Sequence, residues 1–154
     1  MAGRIDAKLG ELGIELPDAP APAANYVPYV ATGNLLFVSG QVSVANGEMI
    51  KGKLGADLDV EAGQKAARAC ALNLIAQAKA ACGGDLDRVR RVVKLGSFVN
   101  ATPDFVNSPQ VTNGASDVMV AVFGEAGRHA RFAVAVASLP SGAAVEIDAV
   151  FEIA

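Results

Sequence analysis

The stretch VEAGQKAARACALNLIAQAKAACGGDLDRVRRVVKLGSFVN, residues 60–100, holds a helix, its stop signal and a strand in one reading. Ala66, Cys70, Leu74 and Ala78 recur every four residues, and Ala67, Leu74 and Ala81 every seven, which lines them along one helical face. The spacing predicts a helix over 60–82, narrow on its apolar side because the residues are small, and so suited to close contact with a sheet. Asp59 stands where its carboxylate can take a free amide hydrogen of the first turn. Gly83-Gly84 ends the helix. Val89 to Asn100 then reads as a long strand, rich in β-branched residues.

Upstream, Asn34-Leu-Leu-Phe-Val38 is a strand entered by Thr32-Gly33 and left by Ser39-Gly40, and residues 41–44 continue it past a bend at Gly40. Asn46-Gly47 is a hairpin signal, with Glu48–Lys51 as the return strand and a loop from Gly52 to Gly55. Ile5, Leu9 and Leu12 predict a short amphipathic helix over 4–13. Pro17, Pro20, Pro22 and Pro28 forbid regular helix after it, leaving 15–28 as an extended arm. Downstream, Pro103 and Pro109 bracket a loop, and a second helix over 115–123 ends at Gly124 and Gly127. Arg131 to Ser138 is a strand, Leu139-Pro140-Ser141-Gly142 a turn, and Val145 to Ile153 the last strand.

The order β-β-α-β-α-β-β implies an α+β domain with one mixed sheet and both helices on one face. Phe37, Val93, Val134, Val136 and Val150 load the sheet with more apolar surface than two helices can cover. Such a face is usually buried by self-association, so an oligomer is expected.

At 154 residues the chain fits one domain, residues 1–154, of which 1–23 form the N-terminal helix and arm. Apolar residues reach 52% but aromatics only 5%, so the core is built from Ala, Val, Leu and Ile. The net charge of −3 gives no broad attraction to nucleic acid, which is not an expected partner. Arg88, Arg90, Arg91 and Lys94 read as a solvated or subunit-contact face. Cys70 and Cys82 sit about 18 Å apart on one helix, too far to bridge. Free thiols point to a reducing, cytoplasmic setting. A single His leaves no metal cluster legible, and no metal or cofactor is expected. The N-terminus lacks the apolar core of a signal peptide, and no stretch is long and apolar enough for a membrane span.

Four segments, taken in order, resemble the RidA family, also called YjgF or L-PSP endoribonuclease family. They are Asn25-Tyr26 followed by Gly33-Asn-Leu-Leu-Phe-Val-Ser-Gly-Gln41; the long helix and strand ending Phe98-Val99-Asn100; Val111-Thr-Asn113; and Ala130-Arg131-Phe-Ala-Val-Ala-Val-Ala-Ser-Leu139-Pro140 with Val145-Glu-Ile-Asp148-Ala149. The resemblance covers residues 24–153 and is to a divergent subgroup. Residues 1–15 look like an extension, and Gly47–Asp57 is longer than the family's hairpin. Ala133 and Ala135 replace the family's Cys and frequent Glu, and Gly127-Arg128-His129-Ala130 replaces its aromatic-Pro-Ala lead. The resemblance implies a homotrimer with a YjgF/chorismate-mutase-like barrel of sheets and three sites in the clefts between subunits.

Arg131 opens an apolar strand, where a guanidinium needs partners. Its planar fork suits bidentate capture of a carboxylate, and an ion pair with Glu146 or Asp148 is the other reading. The resemblance implies the ligand role. It also implies that Asp148 stands for a family Glu that positions the attacking water, one methylene shorter; the alternative is a structural ion pair. Glu146 projects from the same strand face. Tyr26 and Asn113 match residues bordering the family's site, although Asn113 could instead cap the second helix. Ser39 and Gly40 could offer backbone groups to a ligand, or simply bend the strand. His129 is a candidate proton carrier with no counterpart carried over from the family.

The implied activity is hydrolysis of 2-imino or enamine acids to 2-keto acids and ammonia, without a cofactor, on a small carboxylated metabolite. A non-catalytic trimeric binding protein is the second reading. RNA cleavage is the third, disfavoured by the acidic charge and the lack of a His pair.

Overall fold

The computed structural model describes residues 2–154. Strand β5 (Val89–Asn100) forms where the sequence places it, and it pairs antiparallel along its length with β7 (Val145–Ile153). On its other side β5 pairs in parallel with β6 (Ala130–Val136). A parallel pair needs a crossover, and α3 (Ser108–Phe123) supplies it. On the far side of β7 comes β2 (Leu35–Val42), with a bulge between Val38 and Gln41, and then β1 (Tyr29–Thr32). The sheet order is β1-β2-β7-β5-β6. A separate hairpin of β3 (Val44–Ala45) and β4 (Glu48–Met49) turns at Asn46-Gly47, both at positive φ.

The mixed sheet with its helices on one face is the expected α+β architecture. Helix α1 (Arg4–Glu11) and α2 (Val60–Ala81) also stand where predicted, and Asp59 accepts from the amide of Ala62 at 2.8 Å. Two elements differ. β1 lies in a stretch given no strand, because only four residues separate Pro28 from the Gly33 turn. α3 begins at Ser108, seven residues before the expected start. Pro109 lies in its first turn, where the missing amide hydrogen costs nothing, and Gly114 is interior.

Alternate residues of β7 separate the two faces of the sheet. Val145, Ile147, Ala149, Phe151 and Ile153 are buried under the helices, whereas Glu146, Asp148, Val150 and Glu152 face the other way. α2 is buried on more than the predicted narrow face. The sheet takes one side and α3 a second, and the arm crosses a third, where Gln77 Nε2 donates to Pro20 O. Contact between α2 and α3 is close enough that a Cβ on Gly114 would run into the Gln64 backbone.

The face away from the helices is uncovered within the chain. Val30, Phe37, Phe132 and Val134 are 52%, 45%, 37% and 44% exposed, which leaves a hydrophobic surface on the sheet face opposite the helices. Phe132 meets Phe98 edge to face at 5.3 Å, and Lys94 Nζ stands 5.2 Å above the Phe132 ring.

Candidate functional site

Arg131 lies opposite the fully buried Leu95 in the parallel pair, so its side chain points to the helix side of the sheet. Nη1 donates to Ser116 Oγ at 2.9 Å, and Nη2 donates to Pro109 O at 3.1 Å. Both partners belong to α3. A guanidinium has five N–H donors, and these two bonds leave three for a ligand. No carboxylate pairs with Arg131 among the described residues. The alternative ion pair with Glu146 or Asp148 does not form, because β5 separates β6 from β7 and both carboxylates lie on the opposite face.

The guanidinium opens into a cleft of about 680 Å³ lined by Asn113, Ser116, Asp117, Arg128 and His129. Asn113 is not a helix cap. It sits inside α3, one turn before Ser116, and so shares a helical face with it. His129 Nε2 lies 2.9 Å from Ser116 Oγ, and His129 Nδ1 lies 2.6 Å from Gly127 O. Ser116 was not among the sequence candidates. With α3 expected to start at 115, it fell at a helix end rather than three residues along from Asn113.

A second group forms elsewhere. Tyr26, Gly40, Gln41, Ser141 and Glu146 line a cavity of about 360 Å³ beneath the arm. Glu146 lies over Gly40, where a Cβ would stand 2.5 Å from its Oε2. Gly40 therefore makes room for the carboxylate, beside the bulge in β2. Ser39 holds the arm rather than facing the cavity: its Oγ donates to Val27 O at 2.8 Å, and its amide donates to Pro28 O at 2.9 Å. Its own carbonyl accepts from Gln41 Nε2 at 2.9 Å. This pins the segment carrying Tyr26.

Asp148 is outside both groups. It lies on the open face across Gly96, next to Phe132. The carboxylate that shares a cavity with Tyr26 and Gly40 is Glu146. Desolvation by burial, and secondarily the nearby Asp148 charge, hold the Glu146 carboxyl above its ordinary pKa. Because the folded-state value is the higher one, the unfolded chain releases its proton first as pH rises. Stability attributable to this group is present below the ordinary glutamate pKa and is lost through the raised value. Glu146→Gln is therefore expected to melt higher than the parent at neutral pH, by about 2 °C given screening at a half-exposed site. The difference closes in acid, which thermal melts at both pH values would show.

The two groups cannot meet within one chain. β6 and β7 are two strand spacings apart, about 10 Å, and Arg131 and Glu146 leave the sheet by opposite faces. Each chain thus presents an arginine cleft and, separately, a carboxylate cavity.

Three of the four residues of the basic run go to separate partners. Arg88 folds onto the carbonyls of Ala154 and Cys82, Arg91 Nη2 donates to Glu125 O, and Lys94 lies over Phe132 on the open face. Cys70 and Cys82 are free and buried, and burial raises both thiols, most strongly Cys70, so neither suits a nucleophile. No helix is long and apolar enough to cross a membrane among the described residues.

Residues 6–151 match a family model described as "YjgF/chorismate mutase-like, putative endoribonuclease". Protein TCP17 of Trypanosoma cruzi is 57% identical over 99% of this chain and 96% of its own length. The crystal structure of protein Atu1372 from Agrobacterium tumefaciens is 52% identical, with a TM-score of 0.91 over 97% of this chain and 92% of that one. TdcF of Escherichia coli, solved with bound serine, is 26% identical, with a TM-score of 0.63 over 88% of this chain and 94% of that one. The ordered segments, the mixed sheet and these matches agree: the chain belongs to the RidA/YjgF family.

Proposed function

We propose that the protein works as a homotrimer in which the Arg131 cleft of one copy meets the Tyr26–Gly40–Glu146 cavity of the next, and that the shared site hydrolyses 2-imino or enamine acids. The observation that carries this reading is the division of the site residues into two halves on opposite faces of one chain. A second copy supplies the missing half, and the uncovered apolar face around Phe37, Phe132 and Val134 is a surface that association would bury. The bound serine in TdcF, an amino acid with a free carboxylate, supports a small carboxylated ligand. A reducing, cytoplasmic setting suits the two free thiols.

In this mechanism the three free donors of Arg131 take the substrate carboxylate and fix the adjacent C=N carbon. Water adds to that carbon while the nitrogen gains a proton, giving a carbinolamine. The C–N bond then breaks, the hydroxyl loses its proton, and the products are a 2-keto acid and ammonia. Glu146 accepts the proton of the attacking water and returns one to the leaving nitrogen. Its raised pKa brings it nearer the working pH, as that exchange requires. Asp148, on the open face, adds charge that raises Glu146 rather than touching substrate. A carboxyl held above its ordinary pKa in a cavity, at Glu146, is what favours an enzyme over a pure binding protein. The scattered basic residues do not favour RNA cleavage.

The test is to generate 2-imino acids in situ with an amino-acid oxidase and follow keto-acid release with and without the protein. The expected result is a clear acceleration from a species that sediments as a trimer. No acceleration over several imines, from a folded trimer, sinks the catalytic reading; a monomer sinks the shared site.

A further inference from the structure

Ser116 stands between two neighbours with opposite hydrogen-bonding requirements. Arg131 Nη1 can only donate, so Ser116 Oγ accepts from it at 2.9 Å. Gly127 O can only accept, so the His129 nitrogen 2.6 Å away, Nδ1, carries a hydrogen. Nε2 of the neutral ring then has a lone pair, and the Ser116 hydroxyl donates to it across 2.9 Å. The bonds run in one direction, from Arg131 through Ser116 and His129 to Gly127 O. A Cβ on Gly127 would run into the Met119 backbone, so the turn Gly124–Gly127 that leads into His129 lies hard against α3.

We propose that Ser116 and His129 are positioning residues for Arg131, and that proton uptake by His129 reverses the chain so that the Ser116 hydroxyl becomes a second donor to the anion Arg131 holds. This rests on the reading that Arg131 takes a carboxylate. The protonated ring has hydrogen on both nitrogens, so Nε2 donates to Ser116 Oγ. The two lone pairs of that oxygen then serve His129 and Arg131. The hydroxyl hydrogen has to point elsewhere, and the open direction is the cleft. Charged groups facing His129 are Arg131 and Arg128 from its own segment and Asp117 from α3. Glu125 is engaged with Arg128 at 3.5 Å, and Lys94 of the adjoining β5 lies over Phe132 on the opposite face. An anion in the cleft and a proton on His129 favour each other, so carboxylate binding tightens on acidification.

Two readouts on the full-length protein test this. In ligand-free ¹⁵N NMR near neutral or mildly basic pH, His129 should show the Nδ1–H tautomer. The Arg131 Nη signals should be resolved in the parent and in Ser116→Thr, and averaged in Ser116→Ala. In titrations with pyruvate, affinity should be about tenfold higher where the His129 ¹⁵N signals report a protonated ring than where they report a neutral one, the worth of one added charge-assisted hydrogen bond. The rise should vanish in His129→Gln, and Ser116→Ala should keep only the smaller part due to the ring's charge. An Nε2–H tautomer, Arg131 signals unchanged by Ser116→Ala, or a full pH rise in Ser116→Ala would each overturn the proposal. Pyruvate binding that survives Arg131→Ala, or no pyruvate binding at all, overturns the carboxylate reading instead, and the NMR signals still decide the chain.

Discussion

Arg131→Ala is expected to lower kcat/KM for imine hydrolysis by about a hundredfold or more while leaving the melting temperature close to the parent's. The size follows from removing the cationic partner of a desolvated carboxylate, which costs about 2–5 kcal/mol. Stability is spared because the partners released are the Ser116 hydroxyl and the Pro109 carbonyl at a cleft that water can enter. The same variant tests where the site is assembled. Glu146→Gln should also be inactive, since an amide cannot take the water's proton. In trimers reassembled from the two inactive variants, some clefts pair an intact Arg131 from one copy with an intact Glu146 from the other. Random mixing should then restore roughly a quarter of the parent activity, because such sites exist only where different copies meet. Activity that stays absent in confirmed mixed trimers would show that both residues must come from one chain, contrary to the geometry.

Gly114→Ala should produce a large loss of stability. Alanine favours helix over glycine by about 1 kcal/mol, so propensity alone predicts a gain. The added methyl, however, meets the carbonyl and Cα of Gln64, which are backbone atoms of a second helix and cannot rotate aside. Overpacking of this kind costs about 1–3 kcal/mol or more, and here the upper end applies because α2 and α3 must separate as bodies. The net expectation is a loss of about 2 kcal/mol, or about 4–8 °C in Tm. Gly10→Ala is the control. It lies in α1 with nothing within 4 Å of a new Cβ, and it should be neutral or slightly stabilising. A Gly114→Ala protein that melts with the parent would mean that the two helices are not in close contact.

Most of the fold was legible because its signals are local. The alanine period and Gly83-Gly84 bound α2, Asp59 caps it, and β5 and β7 are long enough to show their character. The start of α3 was not legible. Pro109 reads as the edge of a loop in one dimension and sits in the first turn of a helix in three, and starting that helix at 115 hid Ser116 and left Asn113 at a helix boundary. β1 escaped for a different reason: four residues between a proline and a turn are too few to display a period.

The candidate site divides along the same line. The resemblance legible in the sequence singled out Arg131, Asp148, Tyr26, Asn113, Ser39, Gly40 and Glu146, and alternation placed Glu146 and Asp148 on one strand face. The resemblance gave the water-positioning role to Asp148, and nothing local weighs that against Glu146, because two residues on one strand face are equivalent until the neighbours are known. The bulge in β2 and the bare backbone at Gly40 make a seat for Glu146, whereas Asp148 falls across Gly96 beside Phe132. The order of strands, with β5 between β6 and β7, is likewise a property of long-range pairing. That pairing sets Arg131 and Glu146 apart, and so only the tertiary structure could show that the arginine cleft and the Glu146 cavity face away from each other within one chain.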